Sequence, residues 1–153
     1  MLYGAMTHPE LLRAIGVAGH GAKILIADSN YPHATLAHPR SEMIYLNLAP
    51  GLINATDILD VIKETVPLEA AEVMVPDDGT EVPIHDEFRA ALPDVEFIEH
   101  GRWDFYDVAK AENVAVVIAS GESRIYANLL LTIGVRMPEV PVADSGCCGG
   151  GSC

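Results

Sequence analysis

Lys23-Ile24-Leu25-Ile26-Ala27-Asp28 and Val114-Ala115-Val116-Val117-Ile118-Ala119-Ser120 are the stretches that decide the fold class. Each is a short apolar run that stops on a polar side chain. The second has no alternation, so it reads as a strand buried on both faces rather than as one face of an exposed sheet. What lies between the two runs then settles how such strands are connected.

Helical and strand patterns alternate outward from them. Thr7-His8-Pro9-Glu10 is a capping-box pattern with Thr7 as N-cap and Glu10 at N3, followed by Leu11, Leu12, Ile15 and Ala18 at helical spacing and a stop at Gly19. A second strand is expected over 43–48. Asn54 can cap a helix over 55–65, with Ile58, Leu59 and Ile62 on one face. A strand over 70–75 runs into the turn Pro76-Asp77-Asp78-Gly79; a helix over 84–92, a strand over 95–98 and a helix over 105–112 follow. The segment 129–133 fits strand or helix equally. This alternation predicts an α/β fold: a single three-layer domain with a mostly parallel central sheet and helices on both faces. Ligands of such sheets bind beyond the carboxyl ends of strands, where Asp28 and Ser120-Gly121-Glu122 stand. The domain is expected over 1–137. The remainder, 138–153, is rich in Pro, Gly and Cys and reads as a flexible tail.

Composition narrows the function. The 153 residues include 22 acidic and 9 basic ones, a formal charge of −13. That field repels nucleic-acid phosphates and anionic membranes, whereas a neutral polyol meets no such barrier. The first ten residues lack a basic region followed by an apolar run, and no stretch has the roughly 20 apolar residues of a membrane span. A cytoplasmic protein is expected. Cys147, Cys148 and Cys153 all fall in the tail, so no disulfide framework is expected to hold the domain. The slight apolar excess suits subunit interfaces.

Several residues could carry chemistry. The run Gly16-Val17-Ala18-Gly19-His20-Gly21 is not a nucleotide loop, because its glycine spacing is wrong and it precedes a strand. His20, between two glycines in a short turn, can present an imidazole that gives or takes a proton near neutral pH; the alternative is an ordinary surface histidine. Asp28 at a strand end is a site residue or a turn cap. His20 and Asp28 flank one strand and so lie near its opposite ends, unless a site is shared between subunits. His33 and His38 match no strong zinc pattern, and no metal or other cofactor is expected. Among Arg102-Trp103-Asp104-Phe105-Tyr106, the two residues Phe105 and Tyr106 read as core and Arg102 as the site candidate. Tyr126, Ala127 and Asn128 offer a hydroxyl, a backbone and an amide to a polyol.

Taken together, Gly19-His20-Gly21, the strand ending in Asp28 with Pro32 after it, Arg102 with Phe105-Tyr106, Ser120-Gly121-Glu122, Tyr126-Ala127-Asn128 and Gly134-Val135 resemble the ribose pyranase/fucose mutarotase (RbsD/FucU) family. The likeness runs from residue 1 to about 135. It implies an isomerase that interconverts anomers of a monosaccharide without a cofactor. His20 would be the general acid, Asp28 a catalytic and sugar-contacting residue, and Arg102, Tyr126, Ala127 and Asn128 further substrate contacts. It also implies homo-oligomeric rings, often decamers, with sites near subunit interfaces. Arginine followed by aromatics is the fucose-type pattern, where ribose-type members have histidine; L-fucose is therefore the expected sugar and D-ribose the alternative. The loop 29–33 departs from the fucose-type loop. A non-catalytic sugar-binding accessory would use the same polar ligands but tolerate loss of His20.

Overall fold

The first helix, α1 (Pro9–Ala18), starts later than the capping-box reading expects. In the computed structural model, which describes residues 2–138, the N-cap is His8 and not Thr7. The His8 Nδ1 accepts the Leu11 N–H at 3.2 Å, and Pro9 takes the first helical position, where its missing N–H costs nothing. Glu10 Oε2 lies 3.4 Å from the same ring nitrogen.

The remaining elements are β1 (Lys23–Ala27), β2 (Glu42–Tyr45), α2 (Ala55–Lys63), β3 (Leu68–Met74), α3 (Pro83–Ala91), β4 (Glu96–His100), α4 (Arg102–Ala109), β5 (Val114–Ala119) and β6 (Leu129–Ile133). They form a six-stranded sheet in the order β2-β5-β1-β6-β3-β4. The two runs that opened the sequence reading, β1 and β5, are neighbours in parallel register, Leu25 opposite Val117 and Ala27 opposite Ala119. The ambiguous segment is strand β6, antiparallel to both β1 and β3; every other pairing is parallel. The reason is in the connection. A parallel return needs a crossover, usually a helix, whereas the link 120–128 has none. The chain therefore re-enters the sheet from the edge at which β5 left it.

Helices α1, α2 and α3 cover one face, burying Leu11, Ile15, Ile58, Ile62 and Phe88 on Ile24, Ile26, Val116, Ile118, Leu129 and Leu131. The other face is covered by α4 and by the loop after β1, which bury Phe105, Ala109 and Tyr31 on Leu25, Val117 and Leu130. These are the three layers expected. Most boundaries shift by one to three residues, and two of the shifts have a local reason. Strand β2 stops at Tyr45, an edge residue with no further partner strand. Helix α4 begins at Arg102 because Gly101, in extended conformation, caps it. The tail reading, 138–153, lies outside the described residues apart from Pro138.

Candidate functional site

The site is built where β1, β3, β5 and β6 end or begin at one edge of the sheet. The link from β5 to β6 is pinned there. The Ser120 hydroxyl donates to the Ala27 carbonyl at 2.7 Å, and the Ser29 amide donates to the Glu122 carbonyl at 2.9 Å. Gly121 exchanges backbone bonds with Gly51 and Ile53. A Cβ at Gly121 would stand 1.8 Å from the Leu52 carbonyl oxygen, so only glycine fits. The Glu122 carboxylate is buried and accepts from the Arg124 guanidinium and backbone, and from Ala55 at the N-terminus of α2. Burial pushes its pKa up, but Arg124 and the amide donors outweigh that and hold it below the usual range.

Asp28 sits at the same edge, 2% exposed. Its carboxylate accepts from the Asn30 amide at 2.9 Å, the Ala127 amide at 3.3 Å and the Asn128 side chain at 2.9 Å. Its own amide donates to the Asn128 Oδ1 at 2.9 Å. Burial raises its pKa, and the amide donors partly oppose the rise. Asp28 thus holds the 126–128 segment from behind.

Tyr126 is the unusual member. Its φ is +58°, the left-handed region, for a bulky residue; such a conformation costs about 1 to 3 kcal/mol and needs surroundings that impose it. The phenol accepts from Arg102 Nη2 at 2.7 Å, and the guanidinium lies 5.5 Å from the ring centre. Asp77 stands beside Gly101, and the Tyr126 hydrogen bond, with a smaller contribution from the Asp77 charge, holds Arg102 more firmly protonated. Arg102, Tyr126, Asp77, Glu81, Arg124 and Ile125 line a cleft of about 660 Å³, within the size range of small-molecule sites. Its polar groups are donors and acceptors in a mixed set, suited to hydroxyls rather than to a single charge.

The structure therefore brings Asp28, Arg102, Tyr126, Ala127 and Asn128 together. It does not bring His20 to them. Gly19 (φ +81°) and Gly21 (φ +79°) turn the chain at the opposite end of β1, and the Gly21 amide is tied to the Ile133 carbonyl, the far end of β6. The length of β1, about 16 Å at the usual rise per residue, separates the two ends. There the His20 ring is mostly exposed, its Nε2 3.1 Å from Glu69 Oε2. Of the aromatics beside Arg102, Phe105 is core as expected, but Tyr106 is only half-buried, edge-on to Tyr31 and to the exposed Trp103.

Glu69, Asp77 and His85 were not visible as site residues in the sequence. Glu69 lies inside an ordinary strand pattern and His85 inside an amphipathic helix, and each meets its partner only through long-range packing. Asp77 sat in a turn whose chemistry already explained it.

Residues 1–136 match the RbsD / FucU transport protein family. A fucose mutarotase of Bos taurus is 32% identical, over 88% of this chain and 93% of its own. A fucose mutarotase from Streptococcus pneumoniae, solved in complex with L-fucose, superposes with a TM-score of 0.73 at 28% identity, covering 85% of this chain and 94% of that one. RbsD of Bacillus subtilis, solved with D-ribose, shares the fold at a TM-score of 0.77 and 24% identity, covering 90% and 100%. With nearly the whole described domain matched, and with a mixed sheet whose reversed strand delivers Tyr126 and Asn128 to Asp28, the chain belongs to the RbsD / FucU family.

Proposed function

We propose that this protein is a monosaccharide mutarotase that interconverts the anomers of L-fucose, working as a cytoplasmic homo-oligomer. The observation that carries this reading is the cleft lined by Arg102 and Tyr126, with Asp28 holding the Ala127 amide and the Asn128 side chain behind them. The kinship with fucose mutarotases supports the choice of reaction and sugar.

Anomer exchange needs a proton delivered to the ring oxygen and another removed from the anomeric hydroxyl; the ring opens, the carbonyl turns, and the ring closes. Positioned acid and base groups contribute roughly 10² to 10⁴ in rate, enough for a reaction that already runs in water. Arg102 and Tyr126 orient hydroxyls, and His20 exchanges the proton. Because His20 of the same chain stands at the wrong end of the sheet, the His20 that serves a cleft comes from a second copy. Leu48 (85% exposed), Trp103 (72%) and Ile125 (67%) are the kind of surface such an association would cover.

Saturation-transfer NMR of anomer exchange tests the reading. The wild type should accelerate exchange of L-fucose, and His20→Ala should fold and assemble yet lose most of that acceleration. Wild-type rates in the variant would remove His20 as the proton carrier, and no acceleration by the wild type itself would leave only a sugar-binding accessory. Arg102→His should weaken L-fucose saturation about tenfold or more and favour D-ribose, since a planar donor fork is replaced by at most two donors. Unchanged saturation for both sugars would remove Arg102 from the site.

A further inference from the structure

We propose that His85 is a positioning residue: its buried imidazole, donating from Nε2–H to the Tyr126 carbonyl, holds Tyr126 in the left-handed conformation that aims its phenol at Arg102 and into the cleft. This rests on the reading of that cleft as the sugar site.

His85 projects from the first turn of α3, is 4% exposed, and stacks on Phe88 with ring centres 6.3 Å apart. Its Nε2 lies 3.0 Å from the Tyr126 carbonyl oxygen. A carbonyl only accepts, so the ring must carry its proton on Nε2. Burial also keeps the imidazole below the ordinary histidine pKa and hence neutral, with a single N–H that this bond uses.

The geometry around Tyr126 makes the bond consequential. The peptide group between Tyr126 and Ala127 is gripped at both of its polar atoms. The Ala127 amide is taken by Asp28, and the Tyr126 carbonyl by His85. Together these fix the orientation of the 126–127 peptide, which is what a φ of +58° at Tyr126 requires against its steric cost. With the carbonyl released, the segment can relax toward an ordinary backbone conformation, and the phenol would leave the guanidinium it meets at 2.7 Å. His85 itself does not line the cleft, so its effect on sugar must pass through Tyr126.

The test pairs His85→Gln with His85→Phe. Glutamine places an amide N–H near the position of Nε2. Phenylalanine keeps the volume and the stack on Phe88 but leaves the carbonyl without a donor. His85→Phe should lower kcat/KM for L-fucose exchange about tenfold, the scale of one unmade buried hydrogen bond, mainly through KM. His85→Gln should stay within about twofold of wild type on the same scale. In a Tyr126→Ala background the two His85 variants should be indistinguishable. Equal impairment of Gln and Phe, or an undiminished His85→Phe effect in the Tyr126→Ala background, would overturn the proposal. Should His85→Phe not fold, His85→Asn takes its place: its amide stops at the Nδ1 position, so it should be impaired where Gln is not, and equal activity of the two overturns the idea. Long-range ¹⁵N NMR of the wild-type imidazole reads the geometry without any activity. A neutral Nε2–H tautomer supports it and an Nδ1–H tautomer refutes it, even if the wild type moves no sugar and the mutarotase reading fails.

Discussion

Asp28 shows how a single buried side chain can organise a segment of backbone. Its carboxylate accepts from Asn30, Ala127 and Asn128 and donates to none of them. Asparagine at this position keeps the shape but must turn its NH₂ toward at least one of these donors. Asp28→Asn should therefore lose about 1 to 3 kcal/mol of stability by leaving a buried donor facing a donor, and should lose L-fucose saturation with it. Urea denaturation and the NMR exchange assay read the two effects; a variant as stable as wild type would mean that Asp28 does not organise the segment. The sequence marked Asp28 because a carboxylate after an apolar run needs a reason. It marked Arg102 as a fixed donor set among aromatics, and Tyr126 as a hydroxyl suited to a polyol. His85 and Glu69 carried no such mark. Their neighbours in sequence satisfy helix and strand periodicity, and the contacts that single them out, to Tyr126 and His20, span 41 and 49 residues.

At the scale of elements, the link from β5 to β6 decides the architecture. It reverses the chain without a helix, inserts β6 between β1 and β3, and carries Tyr126 to Asn128 to the end of the sheet where the cleft lies. Its anchor is the buried Glu122, ion-paired to Arg124 at 2.8 Å. The folded-state pKa of Glu122 is lowered, so its contribution to stability is fully present above the unfolded carboxylate value, about 4.3, and is lost as pH falls through the folded value. Arg124→Met removes the partner. It should be less stable than wild type at pH 7, and the gap should narrow steadily below about pH 4.5 as the carboxyl protonates in both. Urea midpoints across that range measure it; a gap that does not change with pH would show that Arg124 acts by packing alone. Periodicity located β5 to the residue but left β6 undecided. Four apolar residues and a threonine fit either geometry, and only their place between two strands makes them one. Helix starts were displaced for a local reason, since His8 and Gly101 compete as caps with residues that look better on paper.

For the whole molecule, the opposed placement of His20 and the cleft sets the strongest constraint. Both flank β1, and no rotamer of His20 crosses a strand about 16 Å long. If anomer exchange depends on both, each working site draws His20 from one copy and Arg102, Tyr126 and Asp28 from another. A contact of that kind joins two different surfaces of the same chain, and such heterologous contacts close into rings when their rotation allows. The consequence can be tested without knowing the number of subunits. His20→Ala supplies intact clefts and no acid; Arg102→Ala supplies the acid and defective clefts. Each alone should be nearly inactive toward L-fucose. Mixed in equal amounts, dissociated and reassembled, they should recover about a quarter of wild-type exchange, because a site works only when an Arg102→Ala copy lends its His20 to the cleft of a His20→Ala copy, and random neighbours around a ring meet that way once in four. Mixing without dissociation should recover much less, which separates subunit exchange from simple addition of residual activities. No recovery after verified reassembly would place His20 and the cleft in separate functions, and would leave the histidine at its glycine turn as a surface group paired with Glu69 and nothing more.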